Sequence, residues 1–249
     1  MPSETAPGQI KMFTWKDYNT LVPHGNNLQK WSFTEYATND AIDLVYDTTF
    51  DDYDLGSSAA AAGWTITTGD ATIKAFGGDG SNSLYIPDDV AVKEFITSPT
   101  FTNSITIGDN AEANMETVLE CDMILAKNMR IILASGTNSI LELRNLNDEL
   151  TNYGFINGTT TADDTVVATG ITGKEVHLKV VINEMNRTAD IYVDGEKGNT
   201  EPLNIYGMNK NYLKYTTIDC ILFKASANKS GSDTYIDNLE VYRQPISAE

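Results

Sequence analysis

The segment TVLECDMIL, residues 117–125, alternates through its centre. Leu119, Cys121, Met123 and Leu125 fall on one side, and Glu120 and Asp122 on the other. A period of two is that of a β-strand with one face buried. KEVHLKVVINE repeats it, setting Val176, Leu178, Val180 and Ile182 against His177, Lys179 and Asn183. NRT then turns the chain into ADIYVDGE, where Asp194-Gly195 is the dipeptide expected at the centre of a hairpin turn. GWTITTG, ATIKAF, SLYI, FITSPTF, SITIG, MRIILAS, SILELRN, NYGFING, TTIDCILFKAS and TYIDNLEVYR read as further strands, set off by turn-forming residues. About a dozen short strands and no helix longer than two turns predict an all-β fold, an antiparallel two-sheet β-sandwich or barrel. No fixed-period repeat occurs, which argues against a propeller or solenoid.

The chain has 249 residues, 41% of them hydrophobic, enough for one large all-β domain or two small ones. Its formal charge of −18 argues against nucleic acid as a partner. It also argues against acidic polysaccharides, unless a local basic patch exists, and leaves neutral glycans compatible. No apolar run is long enough for a membrane-spanning helix, so membrane insertion is not expected. The opening PSETAPG has the composition of a tail or linker and lacks a basic-then-apolar export signal. Residues 1–45, which hold Trp15, His24 and Trp31, are expected to be a linker, a tail or added strands. The sandwich is expected over 46–245, with a short tail at 246–249.

Cys121 and Cys220 lie on strands where alternation points both toward the core. Two buried free thiols are expected; a disulfide would need the two strands to be neighbours. Trp64, on one strand face with Ile66, is expected in the core.

The ordered series FDD…GWTI…GDATI…GSNSLYI…VLECDMIL…GKEVHLKVVIN…RTADIYVDGE…IDCILFKAS…TYIDNLEVY runs from about residue 48 to 243. It resembles the concanavalin A-like lectin/glucanase jelly roll, including the laminin-G-like and carbohydrate-binding modules of bacterial extracellular enzymes. The resemblance implies a jelly roll of two antiparallel sheets, one of them concave. It places ligands across the concave face or at loops along one edge, and implies an extracellular or cell-surface location. The fold also hosts hydrolases, lyases, adhesins and viral coat parts, so it does not by itself assign a function.

Glycoside hydrolysis needs two carboxylates flanking the scissile bond. The resemblance makes Glu120 and Asp122 catalytic candidates, as the first half of a Glu-x-Asp-x-(x)-Glu strand pattern. Ile124 and Leu125 stand where the second Glu would be. Lyases of this fold imply an Arg-rich strand and a Gln-x-His strand. Glu142 and Arg144 share a face and His177 is present, but the Gln-x-His is absent.

For binding, NIYGMNKNYLKY interleaves Tyr206, Tyr212 and Tyr215 with Asn209 and Asn211. Rings stack on sugar CH faces, and amides meet hydroxyls. In TYIDNLEVY, Asp237 shares a face with Tyr235, Leu239 and Val241 and is expected at the rim of the core. A buried carboxylate needs a partner. Similar modules join their last and first strands through calcium, which makes Asp237 with Asp51 and Asp52 the candidate Ca2+ ligands.

The expected function is non-catalytic, lectin-like binding of a neutral glycan on a shallow face or loop edge. The alternatives are a structural or adhesion module of a virion, fibre or cell-surface assembly with other protein subunits, and a hydrolase or lyase with an atypical site.

Overall fold

The structure, a computed structural model, describes residues 42–76, 80–87, 93–155, 162–205, 215–225 and 233–246. Two large antiparallel sheets pack as a sandwich. One holds nine strands: β1 (Asp43–Thr48), β3 (Thr72–Ala75), β4 (Asn82–Ile86), β7 (Met115–Ile124), β12 (Glu175–Asn183), β13 (Thr188–Val193), β14 (Glu196–Lys197), β15 (Leu203–Asn204) and β18 (Thr234–Pro245). The other holds seven: β2 (Thr65–Thr68), β5 (Glu94–Thr97), β8 (Met129–Ser135), β9 (Asn138–Leu146), β10 (Glu149–Phe155), β11 (Ala162–Thr169) and β17 (Cys220–Ala225). A separate pair joins β6 (Ile105–Thr106) to β16 (Thr217–Ile218). The first strand starts at Asp43, so it straddles the expected domain start.

The clean alternation of the sequence becomes the interface between the sheets. From the nine-stranded sheet come Leu119, Cys121 and Met123 of β7 and Val176, Leu178, Val180 and Ile182 of β12. Ile131, Leu133, Leu141, Leu143, Ile221 and Phe223 answer from the seven-stranded sheet. Each such side chain contributes about 2 kcal/mol on leaving water. Trp64 is 2% exposed, with its ring centroid 5.7 Å from Phe223 and 6.1 Å from Phe50. At the hairpin between β13 and β14, Asp194 and Gly195 take φ of 52° and 81°, the paired positive values that match strand twist.

Two expectations are corrected. Cys220 does not face the inter-sheet core with Cys121. It lies on the outward side of the seven-stranded sheet in a small cluster with Ile132, Ala134 and Leu222, while Ile221 and Phe223 take the core side. The run CILF is apolar at every position, so a period of two cannot choose its face. Both thiols are free and stand in different sheets. The second correction concerns Asp237. A bulge lies between Asp237 and Glu240, and Asn238 takes a φ of 47°. The extra residue changes the phase of the strand. Leu239 and Val241 enter the core, while Asp237 pairs in register with Asp122 of β7.

Candidate functional site

The outward face of the nine-stranded sheet collects the polar residues of β7 and β12. Register sets His177 opposite Asp122 and Lys179 opposite Glu120. His177 Nδ1 lies 2.8 Å from Asp122 Oδ1, and Asn238 Nδ2 donates to Asp122 Oδ2 at 2.7 Å. Glu120 Oε1 receives Lys179 Nζ at 2.6 Å and the Tyr242 hydroxyl at 2.9 Å. Partial burial raises the Glu120 carboxyl, but Lys179 and Tyr242 outweigh it and hold the group below the usual carboxylate range. The two carboxylates are thus held in a mesh of ion pairs and hydrogen bonds on an open sheet face. Alongside, the Tyr85 and Tyr235 rings stand 5.1 Å apart, with Lys74 Nζ 3.3 Å from the Tyr85 centroid.

The expected calcium ligands all lie within the described residues. Asp237, fully buried, accepts from the Ser81 hydroxyl at 2.6 Å and from the Asn238 N–H at 2.7 Å. Asp51 accepts from the Asn82 N–H at 2.8 Å, and Asp52 is exposed. Both Asp237 and Asp51 therefore fasten the start of β4, one from the last strand and one from the segment after the first. Among the described residues no group of three or more His, Cys, Asp or Glu is placed to hold a metal. Of the expected binding loop, Tyr206, Asn209, Asn211 and Tyr212 lie outside the described residues, as do Trp15, His24 and Trp31. Tyr215 is half-buried against the core, and its carbonyl accepts from Arg187 Nη2 at 3.0 Å.

The outward face of the seven-stranded sheet carries a cavity of about 310 Å³. Its lining includes Arg130, Asn138, Ser139, Glu142, Arg144 and Lys224. Register builds it. Arg144 on β9 pairs with Arg130 on β8, which pairs with Lys224 on β17, so three cations stand in one row across three strands. At the usual strand spacing the row spans about 10 Å. Like charges directly opposite one another destabilise a sheet. Glu142, 3% exposed, relieves part of this, taking Arg144 Nε at 2.6 Å and Arg130 Nη1 at 3.3 Å. The guanidinium carbon of Arg144 lies 3.1 Å from the Tyr153 ring centroid, and Lys224 Nζ lies 4.2 Å from that of Phe95. The Ser139 hydroxyl oxygen is buried with no hydrogen-bond partner among the described residues.

Sequence reasoning noticed Glu142 and Arg144 only as part of a lyase pattern and missed Arg130, Asn138, Ser139 and Lys224. Arg130 and Lys224 each look like a flank of an apolar strand, and only the pairing of β8 with β17 puts them together.

No family model and no curated protein matches this chain. Solved structures do. A sialidase superposes with a TM-score of 0.54 at 14% identity over 80% of this chain, which spans 18% of the sialidase chain. The globular domain of T. cruzi calreticulin gives 0.51 at 10% identity, over 80% of this chain and 87% of that one. An endo-1,3-beta-glucanase from Streptomyces sioyaensis gives 0.51 at 14% identity, over 86% and 100%. The chain shares the two-sheet antiparallel sandwich fold of these structures.

Proposed function

We propose that this chain is a non-catalytic carbohydrate-binding module that takes a saccharide in the cavity on the outward face of its seven-stranded sheet. The lining carries the reading. Amide, hydroxyl and guanidinium groups from Asn138, Ser139, Arg130 and Arg144 converge on one space, the donor and acceptor set that sugar hydroxyls require. A volume of about 310 Å³ is at the small end of ligand sites and suits one or two sugar rings. The jelly roll shared with a sialidase and a glucanase accommodates glycans, although a fold alone does not specify them. An extracellular polysaccharide is the partner class this reading entails.

Binding is favoured over hydrolysis by the count of carboxylates. Among the described residues Glu142 is the one acid lining the cavity, and two arginines hold it; hydrolysis by the usual route needs a second carboxylate across the bond. A glycan array followed by calorimetry tests the proposal. Ser139→Ala and Asn138→Ala are each expected to weaken the ligand that binds by about fivefold to tenfold, the loss of one hydrogen bond. A blank array, or binding indifferent to both substitutions, would transfer the assignment to a structural or adhesion module.

A further inference from the structure

The seven-stranded face inverts the charge of the rest of the molecule. The chain carries −18 overall. Among the described residues the cavity lining has three cations, Arg130, Arg144 and Lys224, against the single anion Glu142, a local balance of +2. Screening over about 8 Å at physiological salt makes the local count, not the total, decide what a small ligand meets. Glu142 sits in the register row next to the cations, opposite Ile132. It thereby fixes the Arg144 guanidinium through Nε and reaches Arg130, with no ion pair to Lys224 at the row's other end. Lys224 makes no ion pair among the described residues. Burial lowers its affinity for the proton; Arg130 adds to that and Glu142 opposes it.

We propose that the saccharide held in this cavity is anionic, with a carboxylate on the ring lying against the Arg144–Arg130–Lys224 row. This rests on the carbohydrate-binding reading and narrows it to a uronate-type unit. Three features point to the carboxylate. Guanidinium forks and an ammonium match its two oxygens. An anion bound there removes the like-charge penalty of the row. The Tyr153 and Phe95 rings flank the row at its two ends through their contacts with Arg144 and Lys224, and these cation–π contacts orient the two end cations. The expectation of a neutral glycan came from the total charge, which this cavity does not share.

Calorimetry on the full chain tests the assignment with tetrasaccharides of gluco-, galacto-, manno- and guluronate, their methyl esters, cellotetraose, and a sulfated disaccharide. One uronate series is expected to bind at least about tenfold more tightly than its own ester. Lys224→Met should remove about tenfold of that affinity and narrow the gap between the acid and its ester. Lys224 supports no ion pair among the described residues, and a melting curve checks that the variant folds. Equal binding of acid and ester, or of cellotetraose, overturns the anionic assignment and leaves the module reading in place. Tighter binding of the sulfated sugar than of every uronate overturns the carboxylate. No binding to any probe overturns both readings.

Discussion

Replacing Glu142 by Gln keeps the side chain's size and removes the one negative charge from the cationic row. Glu142 is 3% exposed and takes Arg144 Nε at 2.6 Å, whose side chain is 15% exposed, and Arg130 Nη1 at 3.3 Å, whose side chain is 30% exposed. Breaking a buried pair by deleting one partner costs about 3–5 kcal/mol, and an exposed pair contributes at most about 1 kcal/mol. Arg144 is close to the first case but opens onto a cavity that water can enter, and Arg130 is close to the second. The expected loss is therefore about 3 kcal/mol, the lower end of the buried range. For a domain of roughly 200 residues this is a drop in Tm of about 6–12 °C. The same change raises the local balance from +2 to +3, so a uronate should bind more tightly even as the fold weakens. Scanning calorimetry gives the first quantity and titration calorimetry the second. A Tm within 1 °C of the native value refutes the counter-charge role of Glu142, and weaker uronate binding in a folded variant refutes the electrostatic account of the cavity.

Two further outcomes follow from the nine-stranded sheet. Asp237→Asn leaves the Ser81 hydroxyl and the bulge at Asn238 facing a neutral amide, at an expected cost of about 1–2 kcal/mol in a urea melt; a calcium role for Asp237 would add that chelator removes comparable stability from the native chain and none from the variant. Glu120 is held below the usual carboxylate range, so its contribution is present above the ordinary carboxylate pKa and disappears as pH falls through the lower folded value. Glu120→Gln should accordingly flatten the acid limb of the stability curve between about pH 4.3 and its lower end, by less than about 1 kcal/mol for a partly exposed pair. Urea midpoints at pH 6 and pH 3 that fall equally in native and variant chains would refute it.

How much of this was legible in the sequence depends on how far apart the deciding residues are. β7 and β12 declare themselves because each sets an apolar face against charged residues at its centre, and a strand's face is a local property once one side is polar. β17 does not, because CILF is apolar on both sides, and the partners that choose its face lie on β8 and β5, far away in sequence. ADDTVVAT of β11 went unread as a strand because its opening acids mask the alternation that follows. The Asp237 phase turned on Asn238, whose left-handed φ cost one residue of register, and Asn is among the few residues that take that conformation readily. The cavity was the least legible. Arg130, Arg144 and Lys224 belong to three strands and become one row only when β9, β8 and β17 pair in a single register. A shift of one residue in β17 would carry Lys224 to the inter-sheet side and Phe223 outward. The binding character of this face is therefore set by the same apolar core that selects the register: Ile131, Leu143 and Phe223 must point inward, and doing so aligns the cations on the opposite side of the sheet.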